Sequence, residues 1–227
     1  MHGFTLIELL VVIAIIAILA AILISSLSSI RSRTSIAQST SNLRQLGNAI
    51  SLYALEHNNR VPPKLAPGTT LFSVYSWTGK RGSNGIYKAT GADLRPLNYY
   101  LGITSPDDPC EIANYPSDES GNYDTYGSAY AANTTHPTIT YSAQDLTRNT
   151  GATLGALMND IASPSRFVLM AEKGGLDYAV WGALNTKTLN SKNQIAWNFL
   201  FADGHVEFVY PEKGEITTPQ YTFDRKQ

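Results

Sequence analysis

The chain has 227 residues, and its 17 Lys+Arg against 18 Asp+Glu leave a formal net charge of −1. That balance excludes a nucleic-acid binder working through bulk positive charge. Only 15% of residues are charged, against roughly 25% in ordinary soluble domains. One cysteine, Cys110, excludes an intrachain disulfide framework and a multi-cysteine zinc site.

The apolar content is concentrated at the N-terminus. Leu9 to Ile24 is an unbroken run of Leu, Val, Ile and Ala, and from Phe4 onward only Thr5 and Glu8 interrupt it. As a helix rising ~1.5 Å per residue, this stretch covers about 30 Å, the thickness of a bilayer's hydrocarbon core. Beyond residue 30 the chain turns polar and rich in Ser, Thr, Asn, Gly and Tyr. The design is one apolar stem carrying a polar head. A cleavable secretory signal needs a basic start and a shorter apolar core, and the start here has no Lys or Arg. A plain signal anchor leaves Glu8 unexplained, because an unpaired carboxylate within such a segment costs roughly 2.5–3.5 kcal/mol. In a first helical turn the carboxylate also favours the helix dipole.

The run Gly3-Phe4-Thr5-Leu6-Ile7-Glu8-Leu9-Leu10-Val11-Val12-Ile13 and its continuation to Ala21 resembles the N-terminal segment of type IV pilins and of type II secretion pseudopilins. The resemblance implies cleavage by prepilin peptidase between Gly3 and Phe4 and methylation of the new amine at Phe4. It also implies that Glu8 of an incoming subunit meets the Phe4 amine of a neighbour. The cationic amine and Glu8 lie four residues apart, on one helix face. In a low-dielectric bundle only the register that pairs this acid is tolerated, so Glu8 is expected to set assembly register. The leader Met1-His2-Gly3 is short and lacks Lys or Arg, so an in-frame basic segment upstream is expected. Arg31 and Arg33 by themselves favour a cytoplasmic head, opposite to the family's topology. Ser25 stands where the family often has proline, so the stem should continue straight into the next segment.

Leu43, Leu46, Ile50, Tyr53, Ala54 and His57 form one helical stripe, with Arg44, Gln45, Asn48 and Ser51 opposite. Asn58-Asn59 and Pro62-Pro63 stop it. One helix over residues 5–58 is predicted, roughly 80 Å long, with His57 as a C-terminal capping side chain. Turn residues at Pro67-Gly68, Gly79, Gly82 and Gly85 mark a loop-rich stretch after Pro63. Ala92, Leu94, Leu97 and Leu101 suggest a short helix that Pro96 weakens.

Residues 103–135 read as irregular. Their acids Asp107, Asp108, Asp118, Glu119 and Asp124 suit calcium chemically but lack regular ligand spacing, so solvated loop charges are the preferred reading.

Arg166 to Glu172 reads as a buried strand. Trp197–Ala202 and His205–Tyr210 read as a hairpin reversing at Asp203-Gly204 through a two-residue type I′ turn. That turn pairs Phe201 with Val206, Phe199 with Phe208 and Trp197 with Tyr210. Their shared apolar face is expected to meet the helix, leaving Asn198 and Leu200 on a partly exposed face. Asp203, His205 and Glu172 invite an acid–base or metal reading, but turn chemistry and strand position explain them more simply. The tail Asn198 to Val206 resembles that of a large bacterial group of pilin-like proteins, as does Asn42-Leu43-Arg44-Gln45-Leu46. The group's histidine falls at Asn193 here, and its Cys-Pro-Ser-Asp is split between Cys110 and Pro116-Ser117-Asp118.

The expected fold is α+β and pilin-like: a long N-terminal helix packed on a small antiparallel sheet with irregular loops. The expected division is a leader remnant at 1–3, a transmembrane and assembly stem at 4–30, an amphipathic continuation at 31–58 and a head at 59–227. The expected function is structural rather than enzymatic, a subunit of a type IV pilus-like or pseudopilus filament without cofactors. The resemblance implies as partners other subunits, prepilin peptidase and an inner-membrane assembly platform with its ATPase. It places the head in the periplasm or in an extracellular filament. The alternatives are a membrane-tethered, non-polymerising binding module using Tyr99, Tyr100, Tyr115, Tyr123, Tyr126 and Tyr130, and an anchored hydrolase. No nucleophile-elbow or phosphate-loop motif supports the latter.

Overall fold

The computed structural model describes residues 5–63, 74–116, 118, 120–134, 144–146, 153–182 and 196–227. A single 51-residue helix, α1 (Leu6–Glu56), starts the fold. At ~1.5 Å per residue it is about 75 Å long. It starts one residue later and ends two earlier than the sequence predicts, and its backbone stays helical through Ser25. His57 caps its end: Nδ1 lies 2.9 Å from the Tyr53 carbonyl, and the ring stacks on Tyr53 at 3.8 Å. Asn58 and Asn59 then take left-handed φ values of 54° and 59°, which asparagine tolerates better than most residues and a helix cannot continue through.

The head is built from short pieces. After α1 come α2 (Gly85–Ala89), α3 (Asn122–Tyr126), β1 (Tyr130–Ala132), β2 (Gln144–Leu146), β3 (Thr153–Gly155), β4 (Val168–Glu172), α4 (Lys173–Trp181), β5 (Trp197–Phe201) and β6 (Val206–Val209). The helix expected around Leu94 is instead two 3-10 turns, Ala92–Leu94 and Tyr99–Leu101, separated at Pro96. Strands β2 and β3 form a separate antiparallel pair.

The main sheet runs β1-β4-β5-β6, antiparallel throughout. Every residue of β4 and β5 is buried, so both faces of the sheet are covered. One face meets α1: Leu43, Leu46, Ala49, Ile50 and Tyr53 pack with Tyr130, Ala132, Met170 and Leu200. The other carries Ala131, Val168, Ala171, Trp197, Phe199 and Phe201, covered by Leu176, Ala179 and Val180 of α4 and by Tyr221 and Phe223 near the C-terminus.

This arrangement corrects the predicted hairpin. Trp197 pairs with Val209, Asn198 with Phe208, Phe199 with Glu207 and Leu200 with Val206. The loop holds three residues rather than two. The Phe201 amide donates to the His205 carbonyl, the Gly204 amide donates to the Phe201 carbonyl, and Gly204 has φ +89°. These are the marks of a type I turn followed by a bulge at a left-handed glycine. The single added residue changes every cross-strand partner. The face that meets α1 is therefore that of Asn198 and Leu200, both buried, and the aromatic face meets α4 and the C-terminal segment.

Candidate functional site

Two places in the fold bear on function: the stem and the head's polar clusters. Within α1 the segment Leu6–Leu23 is long and apolar enough to cross a membrane, and none of it is buried against the head. Leu6, Ile7, Ile18, Ile22 and Leu23 each expose more than 60% of their surface. A water-soluble protein rarely leaves so large a contiguous apolar surface uncovered, and this segment fits a membrane-anchoring helix.

Glu8 lies in the first turn, and Thr5 is the N-cap. The Thr5 amide donates to Glu8 Oε2 at 2.8 Å, and the Thr5 hydroxyl donates to the same oxygen at 2.9 Å. The Glu8 amide in turn donates to Thr5 Oγ1 at 3.3 Å. This is a reciprocal capping box, and it satisfies helix-end donors that would otherwise be unpaired in an apolar environment. The three-residue spacing of Thr5 and Glu8 that such a box needs is legible in the sequence. Gly3 and Phe4 lie outside the described residues, as do Ser117, Glu119, Asn193 and Pro67-Gly68.

In the head, the four described acids considered for calcium each have a local structural task. Asp107 Oδ1 pairs with Arg81 Nε at 2.7 Å, and Asp124 Oδ1 with Lys80 Nζ at 2.6 Å. Asp108 accepts from the amides of Thr104 and Ser105, and Asp118 from the amide of Tyr123 and the side chain of Asn122. Among the described residues no group of three or more His, Cys, Asp or Glu side chains is placed to hold a metal ion.

His205 Nδ1 lies 2.5 Å from Asp203 Oδ1, and its ring stacks on Phe201 at 4.3 Å. Glu172 is not part of that group. It lies toward the other end of β5, beneath α1, where Asn198 Nδ2 donates to it at 2.9 Å.

The tyrosines proposed as a contact surface are mostly structural. Tyr130 and Tyr123 are buried, Tyr126 stacks on Tyr75 at 4.5 Å, and Tyr100 donates to Glu56 Oε2 at 2.6 Å. Of the six, only Tyr99 is exposed.

Comparison with known proteins matches the stem alone. No curated protein and no solved structure gives a significant match. Residues 1–24 match the family model described as the prokaryotic N-terminal methylation motif, so the chain carries the type IV pilin and pseudopilin signal at the head of its exposed apolar helix.

Proposed function

We propose that the chain is a membrane-held filament subunit, cut by prepilin peptidase between Gly3 and Phe4, methylated on the Phe4 amine and polymerised through stem–stem packing. The observation that carries this reading is that the stretch matching the motif is also left uncovered by the rest of the fold. The methylation motif spans residues 1–24, and Leu6–Leu23 is helical, apolar and untouched by the head.

In this reading the capping box holds Glu8 while the subunit stands alone in the bilayer. Two donors from Thr5 stabilise its carboxylate there. When stems bundle, the methylated amine of a neighbouring Phe4 offers a full opposite charge in a low-dielectric setting, which stabilises the carboxylate further. Glu8 then selects one axial offset between neighbours, and Leu6–Leu23 supplies the non-directional contact. The peptidase, an inner-membrane platform with its ATPase and further copies of the subunit are the partners this reading requires, with the head on the periplasmic side.

Mass spectrometry of the mature polypeptide isolated from its host membrane tests the proposal. The expected mass is that of a chain beginning at Phe4 with one methyl group on its amine. A native chain that retains Met1, or one that has lost residues 4–24, overturns the proposal.

A further inference from the structure

The side chains that α1 turns toward the sheet change character at Asn42. From Leu43 onward they are Leu43, Leu46, Ala49, Ile50 and Tyr53, whereas before that point the buried ones are Ser35, Ser39 and Asn42. Beneath this polar stretch lies Glu172, the last residue of β4, with 1% of its surface exposed. Glu172 Oε1 accepts hydrogen bonds from Ser39 Oγ and from Asn198 Nδ2. The Tyr130 hydroxyl donates to Ser39 Oγ at 3.1 Å, and Thr40 Oγ1 donates to Asn198 Oδ1 at 3.1 Å. Glu172 Oε2 is fully enclosed and has no hydrogen-bond partner among the described residues.

Among the described residues no cation is paired with this acid. On α1, Arg31, Arg33 and Arg44 are exposed, and the groups that reach the seam are Ser39, Thr40 and Asn42. From β1 the titratable neighbour is Tyr130, with Tyr115 beyond it, and from β5 the neighbour is the neutral Asn198. Lys173 follows Glu172 in sequence, but its ammonium pairs with Asp177 within α4. Burial therefore dominates and pushes the Glu172 carboxyl up to about 7, the bonds from Ser39 and Asn198 opposing it only in part.

We propose that Glu172 is a protonation-controlled latch between the stem-bearing helix and the head. With the carboxyl neutral, residues 35–42 of α1 stay docked on the sheet. With it ionised, an uncompensated charge with one unpartnered oxygen is enclosed beneath them, and releasing and unwinding this stretch hydrates it. The direction follows from proton linkage. The docked seam holds its proton up to about pH 7, whereas a hydrated carboxyl releases it near 4.5. Docking therefore weakens as pH rises through that window and changes little above it, the opening constant growing by up to about tenfold per pH unit. The stretch from Leu43 to Tyr53 is anchored by apolar contacts and keeps the rest of the helix in place. The proposal rests on the fold alone and does not depend on processing or polymerisation.

Amide hydrogen exchange on the full chain in detergent micelles, corrected for intrinsic rates, tests it. Protection across residues 35–42 is expected to fall by about tenfold or more between pH 5 and pH 7, while residues 46–54 change far less. Glu172→Gln is expected to hold protection of 35–42 high at both pH values. Flat wild-type protection across the window, or a Gln variant that follows the wild-type course, overturns the latch. Should the Gln variant lose protection at 46–54 as well, the infrared band of the protonated carboxyl in the wild type decides. A titration midpoint near 7 supports the latch, and one near 4.5 overturns it.

Discussion

Gly47 of α1 lies directly against Leu200 of β5: a Cβ at position 47 would come within 3.0 Å of Leu200 Cδ1. The helix can sit this close to the sheet because position 47 has no side chain. Gly47→Leu forces a whole side chain into the contact and is expected to destabilise the head by about 1–3 kcal/mol, the usual cost of overpacking. Gly47→Ala trades a tight contact with a movable methyl group against a helix-propensity gain of up to about 1 kcal/mol, so its shift should be small. Urea midpoints of the two variants, read at unchanged m-value, check both statements. A Leu variant as stable as the wild type would place the helix farther from the sheet.

Gly204 sets the register that the sequence reading missed. Its φ of +89° suits glycine, and a Cβ there would meet no neighbouring atom within 4 Å, so backbone strain alone is at issue. Gly204→Ala is expected to cost about 1–3 kcal/mol through that strain. Gly204→Asn should be milder, because asparagine enters positive φ more readily. Thermal unfolding of the three chains should rank them Gly, Asn, Ala in falling stability.

The stripe from Leu43 to Ala54 was readable because helical period and burial coincide on one surface, and Asn58-Asn59 ended it for a local reason. The hairpin's existence was readable from Trp197 to Val209, but its register was not. Asp-Gly fits both a two-residue turn and the longer bulged turn, and those choices pair different residues. The side that α1 covers was lost with it. Hydrophobicity favoured the face of Phe199 and Phe201, while the helix packs on the face of Leu200, Met170 and Ala132. Helix α4 is not legible in the sequence because Lys173-Gly174-Gly175 begins it, a poor helical start in isolation. There Gly175 faces Trp197 and Phe199, where a Cβ would approach within 2.7 Å. At the stem, the Thr5–Glu8 spacing is local and was in plain view. Glu172 could not be assigned from sequence, since its enclosure depends on Ser39, more than a hundred residues away.

Arg95 shows the same limit. A sequence places arginine at the surface, yet this guanidinium is 1% exposed. It donates to the backbone carbonyls of Tyr75, of Thr78 at 2.9 Å and of Tyr126 at 2.8 Å, tying the 75–78 loop and the end of α3 to its own turn. Arg95→Met keeps much of the volume and removes all three donors. Each buried carbonyl left unsatisfied costs about 1–3 kcal/mol, so the loss should exceed about 2 kcal/mol. Arg95→Lys is expected to recover only part of it, because a single ammonium cannot match the planar fork. Denaturant unfolding of the head checks the order wild type, Lys, Met.

The register role proposed for Glu8 is separable from its role as a cap. Pairs of cysteines at two different exposed stem positions, drawn from among Leu10, Ile13 and Ile16, report which axial offsets bring neighbouring stems together. With Glu8 present, one offset should dominate the crosslinked products, because every other leaves the carboxylate with its Thr5 hydrogen bonds but no counter-charge in apolar surroundings, a cost of at most roughly 2.5–3.5 kcal/mol. Glu8→Ala removes both the pair and the penalty, so crosslinks should spread over several offsets and the preference fall by at least about tenfold. Thr5→Ala removes only the hydroxyl that donates to Glu8 Oε2 at 2.9 Å, and the dominant offset should survive it. A Glu8→Ala chain that keeps the wild-type offset at the wild-type yield would leave Glu8 with the capping box alone.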